Sequence, residues 1–324
     1  MPDLTVDVCR ATEIDLEAYA EFQREAFRDL LAKRRASDRH MTARFYQWKY
    51  RTPAGSGRIA TVTRGGEIVS SSAAQPLRLS FDGSIVTGWH VVDVATLQHE
   101  RGRGHFIQTL SALTDSIPSD DVVFAFPNGA SIGGFRRHGF DENVVMTTWV
   151  NPLPRLVKRA DGRVLEIDGF GSDRDIPGIP TGGDRPFIDR RSDYLDWRYT
   201  DHPINTYSFA VFDDGPSRGF SVTRTARVMG RDVVLIMELF GSTSEAQSAL
   251  VSRAAEQALR EGVGALILMG TSVPLSTVGR SCLVPVPSAL LPKRQVLMVR
   301  RGDVRSKPSK CGRWILRTGD WDVF

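Results

Sequence analysis

The residues best suited to chemistry stand in the stretch VVDVATLQHERGRGHFIQTL, residues 91–110. A strand-like apolar run ends in Arg101, Gly102, Arg103 and Gly104, and a helical pattern starts at once. Such a loop directs several backbone N–H groups without intrahelical partners at one spot, and the helix dipole adds partial positive charge. Glycines let a ligand approach the backbone and arginines supply fixed donors, so the run reads as a phosphate cradle. The alternative is a glycine-punctuated turn with two solvated arginines. It is not a Walker loop, because no Lys-Ser/Thr follows the glycines. It is not a dinucleotide fingerprint either, since Ile107 stands at the third glycine's place. HERGRGH, with His99 and Glu100, lacks zinc-helix spacing, so no metal site is expected.

Regular elements must position this loop. Residues 11–36 carry apolar residues at helical spacing, with Thr12 as N-cap and Asp15 three residues on. Alternating strands follow, broken by hairpin turns at Gly65-Gly66 and Asp82-Gly83. The helix after the loop is predicted to run to about Ser116, with DVVFAFP (121–127) as a continuous buried strand and a short helix beyond it. The stretch 161–186, dense in Gly, Pro and Asp, is the best linker, and its first part could contribute a strand.

The second half repeats this order. FYQWKYRTP (45–53) is echoed by YLDWRYTDHP (194–203). A hairpin, a strand pair, a long helix (103–116 against 244–261) and a buried strand follow in each case. The second copy has FGSTSEAQSAL where the first has RGRGHFIQTL, so the arginine–glycine loop occurs once.

Composition narrows the class. The chain has 324 residues, 41% hydrophobic and 25% charged, with a net charge of +4, as expected of a soluble two-domain protein. Its basic residues are scattered, without the Lys/Arg stripe and interleaved aromatics of a nucleic-acid binder, so no nucleic-acid partner is expected. A modest positive balance suits acidic small molecules. Cys9, Cys282 and Cys311 have no metal or redox spacing, which points to a reducing compartment. The opening MPDLTVDVCR lacks the basic and apolar regions of a signal peptide, so none is expected, and no apolar run reaches the ~20 residues of a membrane span. A cytoplasmic protein without membrane contact is expected.

The stretch FAFPNGASIGGFRRHGF (124–140) carries Asn128, Ser131, Phe135, Gly139 and Phe140 at fixed steps after the buried strand. With Arg101 and Gly104 ahead of it, the first half resembles a GNAT-superfamily acyltransferase. The resemblance covers roughly residues 10–150, and the repeat extends it to the rest. The fold class expected is therefore α/β (α+β): two tandem GNAT-like domains, 1–155 and 156–324, each a twisted mixed sheet flanked by helices. More narrowly, DVAT, RGRGHF, FPNGAS, FYQWKYRTPAG and the terminal GDWDVF resemble two-domain members that acylate amino sugars, often nucleotide-linked.

The resemblance implies that acetyl-CoA or another acyl-CoA is the co-substrate. Backbone groups of Val94, Ala95 and Thr96 would meet its pantetheine arm. The amides of Gly102–Phe106, including His105, with Arg101 and Arg103 would hold the pyrophosphate, and Asn128 and Ser131 would reach the arm from the other side. Phe106 stands where a small residue is usual. Phe135 stands where many members have a proton-donating tyrosine, leaving that role vacant, which a coenzyme A thiolate tolerates as a leaving group.

The reaction needs a deprotonated amine beside the thioester. His90, with an ordinary pKa near ~6.5, occupies a place where some members carry a glutamate base. Asp93 interrupts an apolar strand, which is costly unless it is bonded or working. Alternation puts the two on opposite faces unless a bulge intervenes, and both are candidates. Otherwise Asp93 caps a turn or anchors Trp89, and His90 is a core residue. Trp48, Tyr50 and Trp89 are candidates to stack on the acceptor, although Trp197 and Tyr199 repeat the first two in a half without the loop, which favours a core role. The aromatic C-terminal segment should pack on the first domain or between the two. Asp320, Asp322 or the terminal carboxylate could then act as base, as in some related two-domain transferases, or the segment simply docks. The acceptor expected is a small-molecule amine, most naturally of an amino sugar, and the chain a monomer or homodimer. A natural-product or antibiotic amine, and a non-catalytic acyl-CoA sensor or scaffold, are the alternatives.

Overall fold

The computed structural model describes residues 3–321 apart from 35–36, 82, 158–162, 172–175, 177, 180–184, 292–293 and 302–313. The first half opens with β1 (Leu4–Arg10), α1 (Leu16–Arg34), α2 (Ala43–Tyr50) and the short pair β2 (Arg51–Thr52) and β3 (Gly55–Ser56). Then come β4 (Arg58–Arg64), β5 (Glu67–Phe81), β6 (Ser84–Thr96), α3 (His105–Asp115) and β7 (Val122–Ala125). It closes with α4 (Ile132–Arg137), β8 (Phe140–Val145) and β9 (Thr147–Asn151). The second half contains β10 (Val164–Ile167), β11 (Phe187–Ile188), α5 (Ser192–Leu195), β12 (Ser208–Asp214), β13 (Ser217–Val228) and β14 (Arg231–Gly241). After these follow α6 (Ser244–Arg260), β15 (Leu266–Gly270), α7 (Leu275–Arg280), β16 (Val284–Pro285) and β17 (Val296–Arg300).

Two mixed sheets result, ordered β1-β4-β5-β6-β7-β17-β8 and β10-β12-β13-β14-β15-β9-β16, with β11 on β5. Each sheet contains a strand from the other half: β17 lies between β7 and β8, and β9 between β15 and β16. A cut after residue 155 therefore follows the sequence rather than the sheets. The hairpin turns form where backbone freedom permits, with Gly65 and Gly66 both at positive φ. Val164–Ile167, inside the Gly/Pro-rich stretch, pairs with β12. One core cluster packs Phe124, Phe126 and Leu297 against Trp197, Phe220 and Trp314, joining the halves.

The echoed Trp-basic-Tyr segments meet at this seam. The indoles of Trp48 and Trp197 stack with centroids 5.4 Å apart. The Trp48 Nε1–H donates to the Trp197 carbonyl at 2.7 Å, and the Trp197 Nε1–H returns to the Trp48 carbonyl at 3.0 Å. Each tyrosine turns back into its own half. Tyr50 donates to Asp93 on β6 at 2.6 Å, and Tyr199 to Glu238 on β14 at 2.5 Å.

Among the described residues, no helix is long and apolar enough to cross a membrane.

Candidate functional site

β6 and β7 run parallel and pair only from Gly88/Val122 to Val91/Ala125. Beyond this point, β6 continues to Thr96 still paired with β5, while its other edge faces no strand among the described residues. The result is a notch whose wall is an unsatisfied strand edge, able to accept an extended amide chain.

A bulge shapes that wall. Ser71 faces Ala95, but Ala73 faces Val92, so β6 carries an extra residue between them. Asp93 sits there at φ 49°, in the left-handed region that non-glycine residues occupy only when their surroundings insist. Its carboxylate accepts from Lys49 Nζ at 2.9 Å as well as from Tyr50, and Gln23 donates to its carbonyl at 3.3 Å. The ion pair is buried, with the Lys49 and Asp93 side chains 2% and 7% exposed. Burial and the neighbouring Asp93 charge push the Tyr50 phenol well above its usual range. Val92 packs with Tyr19 and Tyr50, and by alternation His90 shares its face, so the bulge brings Asp93 round to the side of His90. His90 stacks on Phe124 at 5.0 Å and approaches Gln75 through Nδ1 at 3.3 Å. It lines a narrow pocket between the halves, together with Gln75, Tyr194, Arg198 and Asp320.

At the notch's mouth, Gly102 and Gly104 take φ 79° and 85°, and a Cβ on either would meet nothing within 4 Å. Gly104 is the N-cap of α3 and supplies no side-chain acceptor. The amides of Gly102, Arg103, Gly104, His105 and Phe106 find no acceptor among the described residues. They open on solvent at the positive end of the helix. The Arg101 side chain braces this loop, donating to the carbonyls of Thr96 at 3.2 Å and Ala26 at 3.3 Å. Arg103 stays exposed, 3.6 Å from Glu100. Glu100 is gripped from beneath by His105 at 3.1 Å and Arg64 at 3.2 Å. Burial works against its ionisation, yet His105, Arg103 and Arg64 hold its carboxyl below the usual range.

On the far wall, Asn128 Oδ1 accepts from the amides of Ala130 and Ser131 at 2.9 and 3.0 Å, and Ser131 Oγ accepts from the Asn128 amide at 3.1 Å. These two residues order the turn into α4. Phe135 is buried, edge-on to Phe106 and Phe140. The Phe106 ring lies where a Gly134 side chain would be, so the wide residue in the loop requires the glycine in α4.

Several predicted residues stand elsewhere. Trp89 faces α3 with Leu110 and Leu113, opposite His90, and its indole donates to Asp121 at 2.9 Å; Asp93 does not anchor it. Trp48 and Tyr50 are held in the seam and the Asp93 network rather than standing open. Asp320 is 3% exposed and is held by Arg190 and by the Arg317 amide at 2.7 Å. Asp322 and Cys311 lie outside the described residues. Sequence reasoning passed over Lys49 and Gln23; a lysine between aromatics in the echoed segment was the signal for the first.

The β14/β15 pair shows a second notch. Pairing stops at Ile236/Leu268, and β14 bulges at Met237. Here the chain's own segment fills the gap. Gly270 bridges Arg317, Arg317 Nε donates to the Leu239 carbonyl at 2.8 Å, and the Met269 amide donates to Thr318 at 2.9 Å.

Residues 7–142 match the family model of an acetyltransferase (GNAT) domain. Solved structures of similar fold include a conserved protein of unknown function from Enterococcus faecalis, 14% identical with a TM-score of 0.64 over 93% of this chain and 73% of that one. A GCN5-related N-acetyltransferase from Anabaena variabilis is 12% identical, TM-score 0.62, over 93% and 74% of the two chains. Eis1 from Mycobacterium abscessus is 15% identical, TM-score 0.57, over 93% and 74%. No curated protein sequence matches the chain. The likeness in structure extends the GNAT-like fold over most of the chain, in two α/β halves.

Proposed function

We propose that the protein is an acyl-CoA-dependent N-acyltransferase whose acceptor is a primary amine, most naturally of an amino sugar, free or nucleotide-linked. The observation that carries this reading is the open row of amides from Gly102 to Phe106 at the mouth of the β6/β7 notch, inside the segment matching the acetyltransferase domain. A diphosphate fits there because the amides lack acceptors and both glycines leave the approach clear. The unpaired edge at Val94–Thr96 fits an extended amide arm. Bound acyl-CoA would supply an acyl carbon activated towards amines.

The chain's own residues then divide the remaining work. Arg101 fixes the loop, and Arg103 adds charge at its rim. Asp93 has both oxygens engaged by Lys49 and Tyr50, so we assign it to hold the bulge. His90, which opens on the cavity between the halves, is the better-placed proton acceptor for the amine. Phe135 has no proton to give. The second half, its notch filled, serves as a wall for the acceptor.

A sensor that binds acyl-CoA without turnover draws on the same Phe135. Calorimetric titration with coenzyme A, then thiol release with acetyl-CoA and a panel of amino sugars, separates the readings. Binding with turnover supports the enzyme, and His90→Gln should then lower kcat and flatten the pH profile. Binding without turnover on any amine favours the sensor, and absence of binding removes both.

A further inference from the structure

Arg224 is a buried charge that the fold leaves without a partner among the described residues. It lies on β13 between Thr223, which bonds Gln257 of α6 at 2.6 Å, and Thr225. Alternation therefore turns Arg224 away from α6, onto the face where Phe220 and Val222 join the core between the halves. The residue is 6% exposed, yet no hydrogen bond or ion pair reaches its side chain among the described residues, and its buried Nε has no acceptor. A buried guanidinium without a partner carries a large desolvation cost.

Its surroundings deepen the imbalance. Burial lowers its pKa. The tyrosines Tyr207 and Tyr199 act against that shift, while Arg198 and Arg39 reinforce it. The buried carboxylates Glu238 and Asp320 are committed to Arg190 and Tyr199. Arg198 lies over the Trp48 ring at 5.9 Å and lines the cavity that holds His90. Arg39, from the connection between α1 and α2, reaches across to Asn205 at 3.1 Å, and Asn205 packs on His202, which lies 4.3 Å from Trp48. Arg39 and Arg198 thus reach one aromatic-lined corner of the seam from the two halves, and Arg224 lies within electrostatic reach of both.

We propose that Arg224, supported by Arg198 and Arg39, is an anion subsite that recognises a phosphate or carboxylate carried by the acceptor amine. The anion supplies the acceptor that the fold withholds from Arg224, and a guanidinium fork matches either group. The identity of the ligand as an acceptor rests on the acyl-transfer reading; the subsite itself does not. A polycationic amine would be repelled here, so the arrangement favours acidic amino sugars over aminoglycoside-like acceptors.

The test uses the full chain. Inorganic phosphate, glucosamine, glucosamine 6-phosphate and muramic acid are titrated by calorimetry into the native protein and into Arg224→Gln, with coenzyme A titrated separately. At least one anionic sugar should bind at least about tenfold more tightly than glucosamine, and the preference should vanish in Arg224→Gln while coenzyme A binding is unchanged. A preference for the phosphate over the muramic acid carboxylate, or the reverse, identifies the group. Equal affinity for charged and neutral sugars, or a preference that survives in Arg224→Gln, overturns the proposal. Arg224→Met provides a second readout: removing an unpartnered buried charge should raise the apo thermal midpoint, whereas a fall would show that Arg224 holds the fold. Anion preference without coenzyme A binding would sink the acyl-transfer reading and leave the subsite standing. Coenzyme A binding without anion preference would do the opposite.

Discussion

The β6/β7 notch and the β14/β15 notch answer the same geometric problem in opposite ways. Both begin where a parallel pair separates next to a bulge. In the first, the helix that follows starts at Gly104, which offers its amides nothing. In the second, Thr243 caps α6, its hydroxyl accepting from the Ala246 amide at 3.1 Å. The first edge stays unpaired, while the second is covered by Leu316–Thr318 and sealed by Arg317. The two notches thus differ in whether backbone groups are satisfied from within. The arginine–glycine loop stands only beside the open notch.

The largest effect is expected from opening the second notch. Arg190, Glu238 and Asp320 are completely or almost completely buried, and both carboxylates pair with Arg190. Burial raises the Glu238 carboxyl despite Arg190, and burial drives the Arg317 guanidinium down to about 10. Asp320→Ala leaves Arg190 short of a counter-charge and removes an acceptor from the Arg317 amide, and should cost about 3–5 kcal/mol. Urea unfolding measures it; a loss below about 1 kcal/mol would mean that the closing segment contributes nothing to the second half.

A smaller and more selective effect is expected at the first notch. Gly104→Ala forces a side chain into the left-handed region at φ 85° without any clash, at a cost of about 1–2 kcal/mol. Gly215, at φ 66° and equally unobstructed in the β12–β13 turn, is the matched control. Both variants should lose similar stability, but only Gly104→Ala should weaken coenzyme A binding, by about tenfold or more. Equal affinities in the two variants would remove the loop from the cofactor site.

How much of this was readable beforehand follows the range of the interactions. The loop, α3, the β7 strand and the Trp-basic-Tyr echo are local patterns, and they stand close to where residue spacing puts them. The bulge is different. Nothing near Asp93 announces that Lys49 and Tyr50 will arrive from α2, and without the bulge alternation sends Asp93 and His90 to opposite faces. Trp89, expected to stack on the acceptor, is instead held by Asp121, which lies beyond α3. The exchange of β9 and β17 and the closing of the second notch are long-range pairings without a periodic signature. Arg224 did leave a trace, as a charge set among Phe220, Val222, Ala226 and Val228 on one face of β13.

The mildest perturbation separates the two helix starts. Thr243→Ala removes the side-chain cap of α6 and should cost about 1 kcal/mol, with coenzyme A affinity unchanged. No equivalent loss can be produced at α3, because Gly104 contributes only backbone there. On the acyl-transfer reading a ligand supplies the missing cap, and coenzyme A at a hundred times its Kd should then stabilise the protein by about 2.7 kcal/mol. The increment should be the same in Thr243→Ala and the native protein, since distant and independent sites add. An increment that shrinks with the loss of the α6 cap would mean that coenzyme A also occupies the second half, and the contrast between an open notch and a closed one would fail.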